Sequence, residues 1–242
     1  MLNNRPDRIA ALTRDGVAAA FAGHRHILAP TTARVARETL PGLPAGIGFP
    51  IIIRPAGSHA GNGLERLDDA AALTAYLTGQ GDAEFYVSPF VDYSGPDGQF
   101  RKLRVVFVRG RPFISHMAVS PRWMVHYLNA DMEANAANRA DEAQMMATFD
   151  EGFAARHAEA FAGLNEAFQL DYFGIDCAET ADGRLLLFEA DVAMIVHDMD
   201  PPELYPYKGP AMAKLFKAFV GALEAPTTQD QVQALLRRLS NR

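Results

Sequence analysis

Two predicted β-hairpins in the second half of the chain constrain its fold more than any other feature. Residues 101–108 and 111–119 are rich in β-branched and apolar side chains and meet at an Arg-Gly turn. Residues 172–179 and 184–189 repeat this pattern around an Ala-Asp-Gly turn. Strands grouped in this way, with a few helices before and between them, predict the α+β class.

Apolar residues at helical or alternating spacing predict the remaining elements. Helices are expected at residues 5–25, 33–39, 70–79, 151–169 and 210–223, with a polar helix at 228–240 and partial helix within 121–150. Further strands are expected at residues 26–29, 50–54, 62–67 and 84–91. The sequence contains no repeat, low-complexity segment or linker that would divide it into independent units.

The composition excludes several classes of protein. The 242 residues are 49% hydrophobic, which is enough for a sizeable core in one large domain or two small lobes. No apolar run reaches the roughly 20 residues of a membrane helix, and no signal-peptide pattern is present, so we expect a cytoplasmic protein without a membrane partner. A net charge of −6 without a basic run argues against a nucleic-acid partner. The single cysteine excludes an internal disulfide and a Cys-based zinc cluster.

A glycine-rich loop follows the first strongly apolar strand. The strand ends at Arg54-Pro55, and glycines follow at Gly57, Gly61 and Gly63. The loop lacks the Gly-Lys-Ser/Thr end of a Walker A loop, and its glycine spacing differs from the dinucleotide fingerprint. A cation beside small residues whose N–H groups can approach a ligand is typical of phosphate binding. A plain hairpin loop explains the same residues equally well.

Three carboxylates are predicted to converge at the second hairpin. Asp176 lies in its first strand, and a turn near residues 182–183 brings position 176 opposite roughly position 189. Asp191 follows Glu189 by two residues, so both side chains point to the same face of an extended chain. Converging carboxylates need a compensating cation, and their hard oxygen atoms suit Mg²⁺. The alternative is three solvated carboxylates at strand ends.

A charged residue and several histidines are further candidates for chemistry. Arg104 lies within an apolar β-run, so an inward-facing guanidinium there would need a bound anion or a carboxylate. His116, His126 and His197 could act in acid–base chemistry or substrate binding, although a structural role is the commoner one for each histidine alone.

Taken in order, these segments resemble the ATP-grasp superfamily. That family places a basic residue with a mobile glycine loop, an adenine hinge, an arginine-bearing strand and a metal-binding hairpin in this order. The corresponding segments here are IIIRPAGSHAGNG, FYVSPFVDY, RKLRVVFVRGRPF and FGIDCAETADGRLLLFEAD. The resemblance covers about residues 5–222 and is strongest to the glutathione synthetase and ribosomal-protein glutamate ligase branch. It extends to the ATP-grasp regions of bacterial tetratricopeptide-repeat proteins, and it implies two lobes with antiparallel sheets that grip a nucleotide.

The resemblance implies a role for each matching residue. The nucleotide would be bound by Arg14, Arg54, Gly57, Ser58, His59, Gly61, Gly63, Ser88, Pro89, Phe90, Val91 and Asp92. Asp176, Glu189 and Asp191 would bind Mg²⁺, with two ions expected. Arg104 would face the transferred phosphoryl group. His126, His197 and Trp123 would lie on the substrate side.

The chain departs from the family pattern at several positions. Arginine stands at positions 14 and 54 where the family usually has lysine, and it keeps the charge and can bind phosphate bidentately. Asp191 stands in place of asparagine. The segment LNNRPDRIAAL begins where the family's N-terminal α/β domain would end. We therefore expect a truncated chain, a homo-oligomer or partner that supplies the missing surface, or a different mode of substrate binding.

These inferences give an expected organisation and activity. We expect an N-terminal helical segment at residues 1–30, a small lobe with the glycine lid at 31–92, a large lobe with the Mg²⁺ site at 93–225 and a helical tail at 226–242. The resemblance implies an ATP-dependent carboxylate–amine ligase that forms an acyl phosphate from a small-molecule or peptide carboxylate and passes it to an amine. A kinase of the same fold and a nucleotide-binding module without turnover stay open as alternatives.

Overall fold

Nine strands and six α-helices make up the part of the chain that the computed structural model describes, which is residue 2 and residues 4–40, 42–59 and 61–224. The strands are β1 (Ile27–Leu28), β2 (Ala33–Ala36), β3 (Ile51–Pro55), β4 (Glu65–Leu67), β5 (Glu84–Pro89), β6 (Phe100–Val108), β7 (Arg111–Ser120), β8 (Tyr172–Glu179) and β9 (Leu185–Asp191). The helices are α1 (Pro6–Ala10), α2 (Arg14–Ala20), α3 (Ala70–Gly79), α4 (Ala136–Ala147), α5 (Ala158–Phe168) and α6 (Lys208–Glu224). None of the described helices has the length and apolar character needed to cross a membrane.

The larger sheet has the strand order β1-β9-β8-β6-β7. Both predicted hairpins are confirmed, because β6 pairs antiparallel with β7 and β8 pairs antiparallel with β9. β6 also pairs antiparallel with β8 and so joins the two hairpins, while β1 adds to β9 in parallel. In the core beneath the sheet, the ring of Phe107 stacks on Phe173 at a centroid distance of 4.5 Å and meets the edge of Phe161 of α5 at 5.2 Å. The class is α+β, as predicted.

The smaller sheet has the order β2-β5-β3-β4, and its neighbouring strands are antiparallel. Helix α3 begins where predicted, because the Asp69 carboxylate caps it by accepting a hydrogen bond from the Ala72 N–H at 2.8 Å. Leu73 of α3 is fully buried with Ile51, Ile53 and Phe85 of the sheet. The smaller sheet therefore has an apolar core of its own.

Three predicted elements need correction. The helix expected at 5–25 is two helices, because Thr13 caps α2 by accepting a hydrogen bond from the Gly16 N–H. The helix expected at 33–39 is wrong. Residues 33–36 form β2, which pairs with β5, and a 3₁₀ turn covers Arg37–Thr39, so pairing between distant segments overrides local propensity. The strand expected at 62–67 shrinks to β4, because residues 61–64 form turns in which Gly61 and Gly63 have positive φ angles.

The helix expected at 151–169 begins as a π-helical turn, Asp150–Ala154, and continues as α5. The apolar stripe predicted for it is confirmed, since all five of its members are buried: Phe153, His157, Phe161, Leu164 and Phe168. His157 lies between the turn and α5, and its Nε2 atom is 2.8 Å from Oε2 of Glu179 in β8. The helix expected at 228–240 lies outside the described residues.

Helix α4 covers the outer edge of the larger sheet, in the segment 121–150 that was expected to be partly helical. Strand β7 is the last strand of that sheet, so one side of its backbone has no strand partner. The fully buried Glu142 carboxylate accepts a hydrogen bond from the Met117 N–H at 3.0 Å, and the Asn138 amide donates to the Val119 carbonyl at 3.0 Å. Side chains of α4 thus satisfy backbone groups that an edge strand would otherwise expose.

Glu142 also belongs to a buried polar network. Its Oε2 atom accepts hydrogen bonds from the hydroxyls of Tyr127 at 3.0 Å and Tyr207 at 2.7 Å. The ammonium of Lys208, at the start of α6, lies 3.5 Å from Oε1 of Glu142 and donates to Asp200 at 2.8 Å. The network joins α4, α6 and the segments that precede each of them.

Candidate functional site

A cleft of about 450 Å³ lies between the two sheets, a size typical of small-molecule sites. One group of its lining residues is apolar and includes Val17, Ile52, Val91, Tyr93, Leu186 and Phe188. The other group is charged and consists of Arg14, Arg54, Lys102, Arg104, Asp176, Glu189 and Asp191. The cleft therefore combines apolar walls with four cations and three carboxylates.

Two β-bulges position the charged residues. Asp176 pairs with Glu189 while Cys177 pairs with Leu187, so Phe188 is an extra residue in β9. Leu187 and Ala190 pack in the core beneath the sheet, which leaves Phe188 and Glu189 both at the cleft although they are consecutive. A second bulge in β7 places Arg104 of β6 opposite His116. The two bulges lie on either side of the Arg104–Asp176 pair.

Asp176 is held by two cations. Its carboxylate accepts hydrogen bonds from Arg104 at 2.8 and 3.1 Å and from Lys102 at 3.0 Å. The side chain is nearly buried, which would raise the pKa, but Lys102 and Arg104 outweigh burial and hold the pKa of Asp176 well below its usual value. Asp176 is therefore a carboxylate at neutral pH, and its charge is compensated within the protein.

The other two carboxylates also have partners. The guanidinium of Arg14, at the start of α2, donates a hydrogen bond to Oε2 of Glu189. Oδ1 of Asp191 accepts one from the Ala193 N–H at 2.9 Å. Across the described ranges, no three histidine, cysteine, aspartate or glutamate side chains are gathered closely enough to form a preassembled metal site. Asp176 and Glu189 nevertheless face each other across neighbouring strands.

Arg54 is the second-last residue of β3 and contacts the glycine loop. Its guanidinium donates hydrogen bonds to the hydroxyl of Ser58 at 3.2 Å and to the Ser58 carbonyl. Burial and, secondarily, the charge of Arg14 lower the pKa of Arg54 to about 10, so it remains a cation at neutral pH. The loop is fixed at its far end, where the Tyr76 hydroxyl donates to the Gly63 carbonyl at 2.6 Å. Arg54 and Tyr76 therefore contact the glycine loop near its two ends.

The end of β5 leaves backbone groups without strand partners. The Phe90 N–H donates to the Pro50 carbonyl at 2.9 Å, so in the alternating ladder the Pro89 carbonyl points away from β3. On that side β2 pairs no further than Val87. Among the described residues, nothing accepts a hydrogen bond from the Val91 N–H. Pro89 and Val91 thus offer one acceptor and one donor beside the apolar part of the cleft.

Comparisons with solved structures identify this architecture. The chain matches the VanG D-Ala:D-Ser ligase from Enterococcus faecalis with a TM-score of 0.52 and 12% identity, over 88% of this chain and 61% of that one. It matches an L-amino acid ligase from Bacillus licheniformis with a TM-score of 0.51 and 11% identity, over 91% of this chain and 49% of that one. It matches the ATP-grasp ligase PsnB, solved with a minimal precursor, Mg and ADP, with a TM-score of 0.50 and 13% identity, over 89% of this chain and 61% of that one.

The chain has the ATP-grasp fold. The resemblance inferred from the order of motifs is thereby confirmed for the fold. The chain spans about half to three fifths of the length of these three solved structures. No protein-family model and no curated protein matches the sequence.

The ATP-grasp cleft gathers most of the sequence-predicted site residues. Those that line it are Arg14, Arg54, His59, Gly61, Ser88, Pro89, Phe90, Val91, Arg104, His126, Asp176, Glu189 and Asp191, together with Trp123. Five predicted site residues are not among the described residues that line the cleft: Gly57, Ser58, Gly63, Asp92 and His197. Ser58 still contacts Arg54, and Asp92 lines a neighbouring cavity of about 620 Å³. His197 lies after β9, where its Nδ1 accepts a hydrogen bond from the Met199 N–H at 3.3 Å.

His126 and His116 differ in their surroundings. His126 lines the cleft and caps the 3₁₀ turn Tyr127–Asn129. Burial and the charges of Lys102 and Arg104 lower the pKa of His126, so its imidazole is neutral at neutral pH. His116 packs its ring on Tyr127 at a centroid distance of 4.8 Å. Burial and the charge of Arg104 lower the pKa of His116 well below its usual value, and His116 is not among the described residues that line the cleft.

Two further residues, Lys102 in the cleft and Arg66 in the neighbouring cavity, were given no role from the sequence. Lys102 shares Asp176 with Arg104, and the two-residue spacing within one strand is the signal that places both cations on the same face. Arg66 lies with its guanidinium carbon 4.3 Å from the ring centroid of Phe90. The sequence carries no local signal for that contact, because it joins β4 to the end of β5.

Proposed function

We propose that this chain is an ATP- and Mg²⁺-dependent carboxylate–amine ligase. One observation carries the proposal: Arg14, Arg54, Lys102 and Arg104 line the same cleft as three carboxylates, and most of the other lining residues are apolar. A nucleotide triphosphate needs this combination of an apolar base site, cations for its phosphates and oxygen ligands for its metal. The three solved structures with this fold that were compared above are ligases, which supports the same reaction class.

The end of β5 suits an adenine base. The Pro89 carbonyl can accept a hydrogen bond from the exocyclic amine, and the Val91 N–H can donate to a ring nitrogen. Phe90 and Trp123, with ring centroids 5.8 Å apart, border the same region. The base would therefore be held by backbone groups and enclosed by apolar side chains.

The charged part of the cleft suits phosphates and Mg²⁺. Asp176, Glu189 and Asp191 provide hard oxygen donors on adjacent strands, which is the donor chemistry that one or two Mg²⁺ ions require, although the described residues do not form a preassembled site. Bound Mg²⁺ would offset the negative charge of the phosphates during transfer. Arg54 would contact the α- and β-phosphates, Arg14 would add a second cation to the phosphate site, and the loop from Gly57 to Gly63 would cover the β- and γ-phosphates. Arg104 would stabilise the charge that develops on the transferred group.

The reaction that these residues support has two steps. An oxygen of the substrate carboxylate attacks the γ-phosphorus of ATP, the bond to ADP breaks, and an acyl phosphate forms. An amine then attacks the acyl carbon, phosphate leaves with the electrons of the carbon–oxygen bond, and an amide results. The neutral imidazole of His126 is available to take the proton that the amine loses. The acid would be a small molecule or a peptide.

Thermal unfolding with and without Mg²⁺ and ATP tests the site. A ligand at about 100 times its dissociation constant stabilises the folded state by roughly 2.7 kcal/mol, which raises the melting temperature by about 5–10 °C for a chain of this size. We expect this rise to require Mg²⁺ and to be lost in Glu189→Gln. Glu84→Gln is the matched control, because Glu84 also accepts a hydrogen bond from an arginine but does not line the cleft. No rise in the wild type at millimolar ATP would refute the proposal.

Hydroxylamine separates the ligase from a kinase. It traps an acyl phosphate as a hydroxamate, so a mixture of amino acids and short peptides with ATP, Mg²⁺ and hydroxylamine should yield hydroxamate together with ADP. A stable phosphorylated product without hydroxamate would replace the ligase by a kinase. Nucleotide binding without ADP formation on any acid would leave a binding module.

A further inference from the structure

The side chain of Glu189 is already paired with a cation from a distant part of the chain. Arg14 belongs to α2, whereas Glu189 lies in β9, 175 residues later. The two side chains are 26% and 32% exposed, so the pair is partly removed from water and is screened less than a surface pair. A divalent cation bound to Oε2 of Glu189 would meet the positive charge of Arg14 at the same oxygen atom.

A second carboxylate of the cleft, Asp176, is paired with cations in the same way. Lys102 and Arg104 engage Asp176 at 2.8–3.1 Å, while Arg14 engages Glu189. Arg54 contacts no carboxylate among the described residues and donates to Ser58 instead. A metal ion alone would therefore enter a site in which four cations already face three carboxylates. A polyphosphate would add the negative charge that such a site lacks.

Arg14 is placed to exchange one partner for another. It is the first residue of α2, directly after the capping residue Thr13, so its side chain extends from the N-terminal end of the helix. It is also close enough to Arg54 for its charge to oppose protonation there. An anionic group between Arg14 and Arg54 would remove this repulsion.

We infer that Arg14 and a divalent cation compete for Glu189. The cleft therefore binds the metal only together with a polyphosphate, because Arg14 then leaves Glu189 and binds the polyphosphate. This inference rests on the proposed function, because it concerns the same metal site. It assigns to Arg14 a role in the order of binding in addition to phosphate contact. Metal and nucleotide binding are then strongly cooperative, and much of the cooperativity resides in one side chain.

Titration with Mn²⁺ tests the inference. Binding is measured by calorimetry and by the electron paramagnetic resonance signal of free Mn²⁺. The proteins are the wild type, Arg14→Gln, Arg14→Lys and the control Arg34→Gln, each with and without ADP. Arg34 forms an arginine–glutamate pair of the same type with Glu84, outside the cleft. Circular dichroism and melting temperature establish that each variant is folded.

We expect weak Mn²⁺ binding to the wild type alone and binding tighter by roughly tenfold or more with ADP. Arg14→Gln should bind Mn²⁺ alone roughly tenfold tighter than the wild type and should lose most of the gain from ADP. Arg14→Lys and Arg34→Gln should behave like the wild type. Equal affinity of the wild type and Arg14→Gln for Mn²⁺ alone overturns the inference and leaves the proposed function standing. Failure of the wild type to bind Mn²⁺ even with ADP overturns both.

Discussion

Replacing Glu142 by alanine removes a buried carboxylate with four partners. Glu142 accepts hydrogen bonds from the Met117 N–H and from the hydroxyls of Tyr127 and Tyr207, and it faces the ammonium of Lys208. Burial raises its pKa, and Lys208 and the three donors oppose this rise. The variant leaves these donors without an acceptor and Lys208 with one carboxylate, that of Asp200.

The expected loss of stability follows from these contacts. Breaking a buried ion pair by removing one partner typically costs about 3–5 kcal/mol. We expect about 4 kcal/mol for Glu142→Ala, because Asp200 still compensates part of the charge of Lys208. Lys208→Met should cost less, since Glu142 keeps its three hydrogen-bond donors. The double variant should be more stable than the sum of the two losses predicts, because the two residues interact directly.

Urea unfolding followed by circular dichroism measures these differences. The dependence of the free energy of unfolding on urea should be unchanged, so that the loss appears in the transition midpoint. Gln144→Ala is the control, because Gln144 is an exposed residue of the same helix. It should change the free energy of unfolding by less than about 0.5 kcal/mol. If Glu142→Ala unfolds within about 1 kcal/mol of the wild type, the network does not stabilise the fold as argued.

Further expectations concern other parts of the fold. Burial lowers the pKa of His157, although Glu179 opposes this effect. Below about pH 6.5 the unfolded chain therefore binds a proton at this histidine more readily than the folded chain does, and the free energy of unfolding should fall from pH 7 to pH 5. His157→Phe should reduce this slope in melting temperatures measured across that range, because His116 and His126, whose pKa values burial also lowers, supply the remainder. An unchanged slope would contradict the assignment. Gly63→Ala should lower the free energy of unfolding in urea by roughly 1–2 kcal/mol, because Gly63 has φ +65° and an added Cβ would lie 2.8 Å from Pro55 Cδ. Gly57→Ala is the control and should be nearly neutral, because an added Cβ at Gly57 meets no atom within 4 Å. Trp123 is the single tryptophan and borders the cleft, so its fluorescence should change on adding Mg²⁺ and ADP, and Trp123→Phe should abolish the signal but keep the rise in melting temperature.

The sequence predicts the sheet pairing well where the pairing is local. Both hairpins of the larger sheet have their turns at the expected residues, because short glycine-containing loops fix the register of adjacent strands. Strand β2 was missed, because β5, its one strand partner among the described residues, lies about 50 residues further along the chain. A short segment of mixed propensity cannot reveal such pairing by itself.

The candidate site was less predictable than the fold. The two-residue spacing of Glu189 and Asp191 places both at the cleft, as expected. The position of Asp176 opposite Glu189 depends on the bulge, since regular pairing from the turn would place Phe188 there instead. The ion pairs that join Arg14 and Lys102 to these carboxylates depend on side-chain contacts between distant elements, which the alternation of residues does not specify.

The bulge in β9 also affects how related chains can be found. Phe188 is an insertion within the ladder, and a strand without it would alternate regularly while still presenting Glu189 and Asp191 to the cleft. What such a strand would lose is the Phe188 ring, which packs 5.0 Å from that of Tyr93. The twelve residues between Asp176 and Glu189 are therefore not a fixed signature. A database search pattern that requires this spacing would overlook chains that bind the same ligands with one residue fewer.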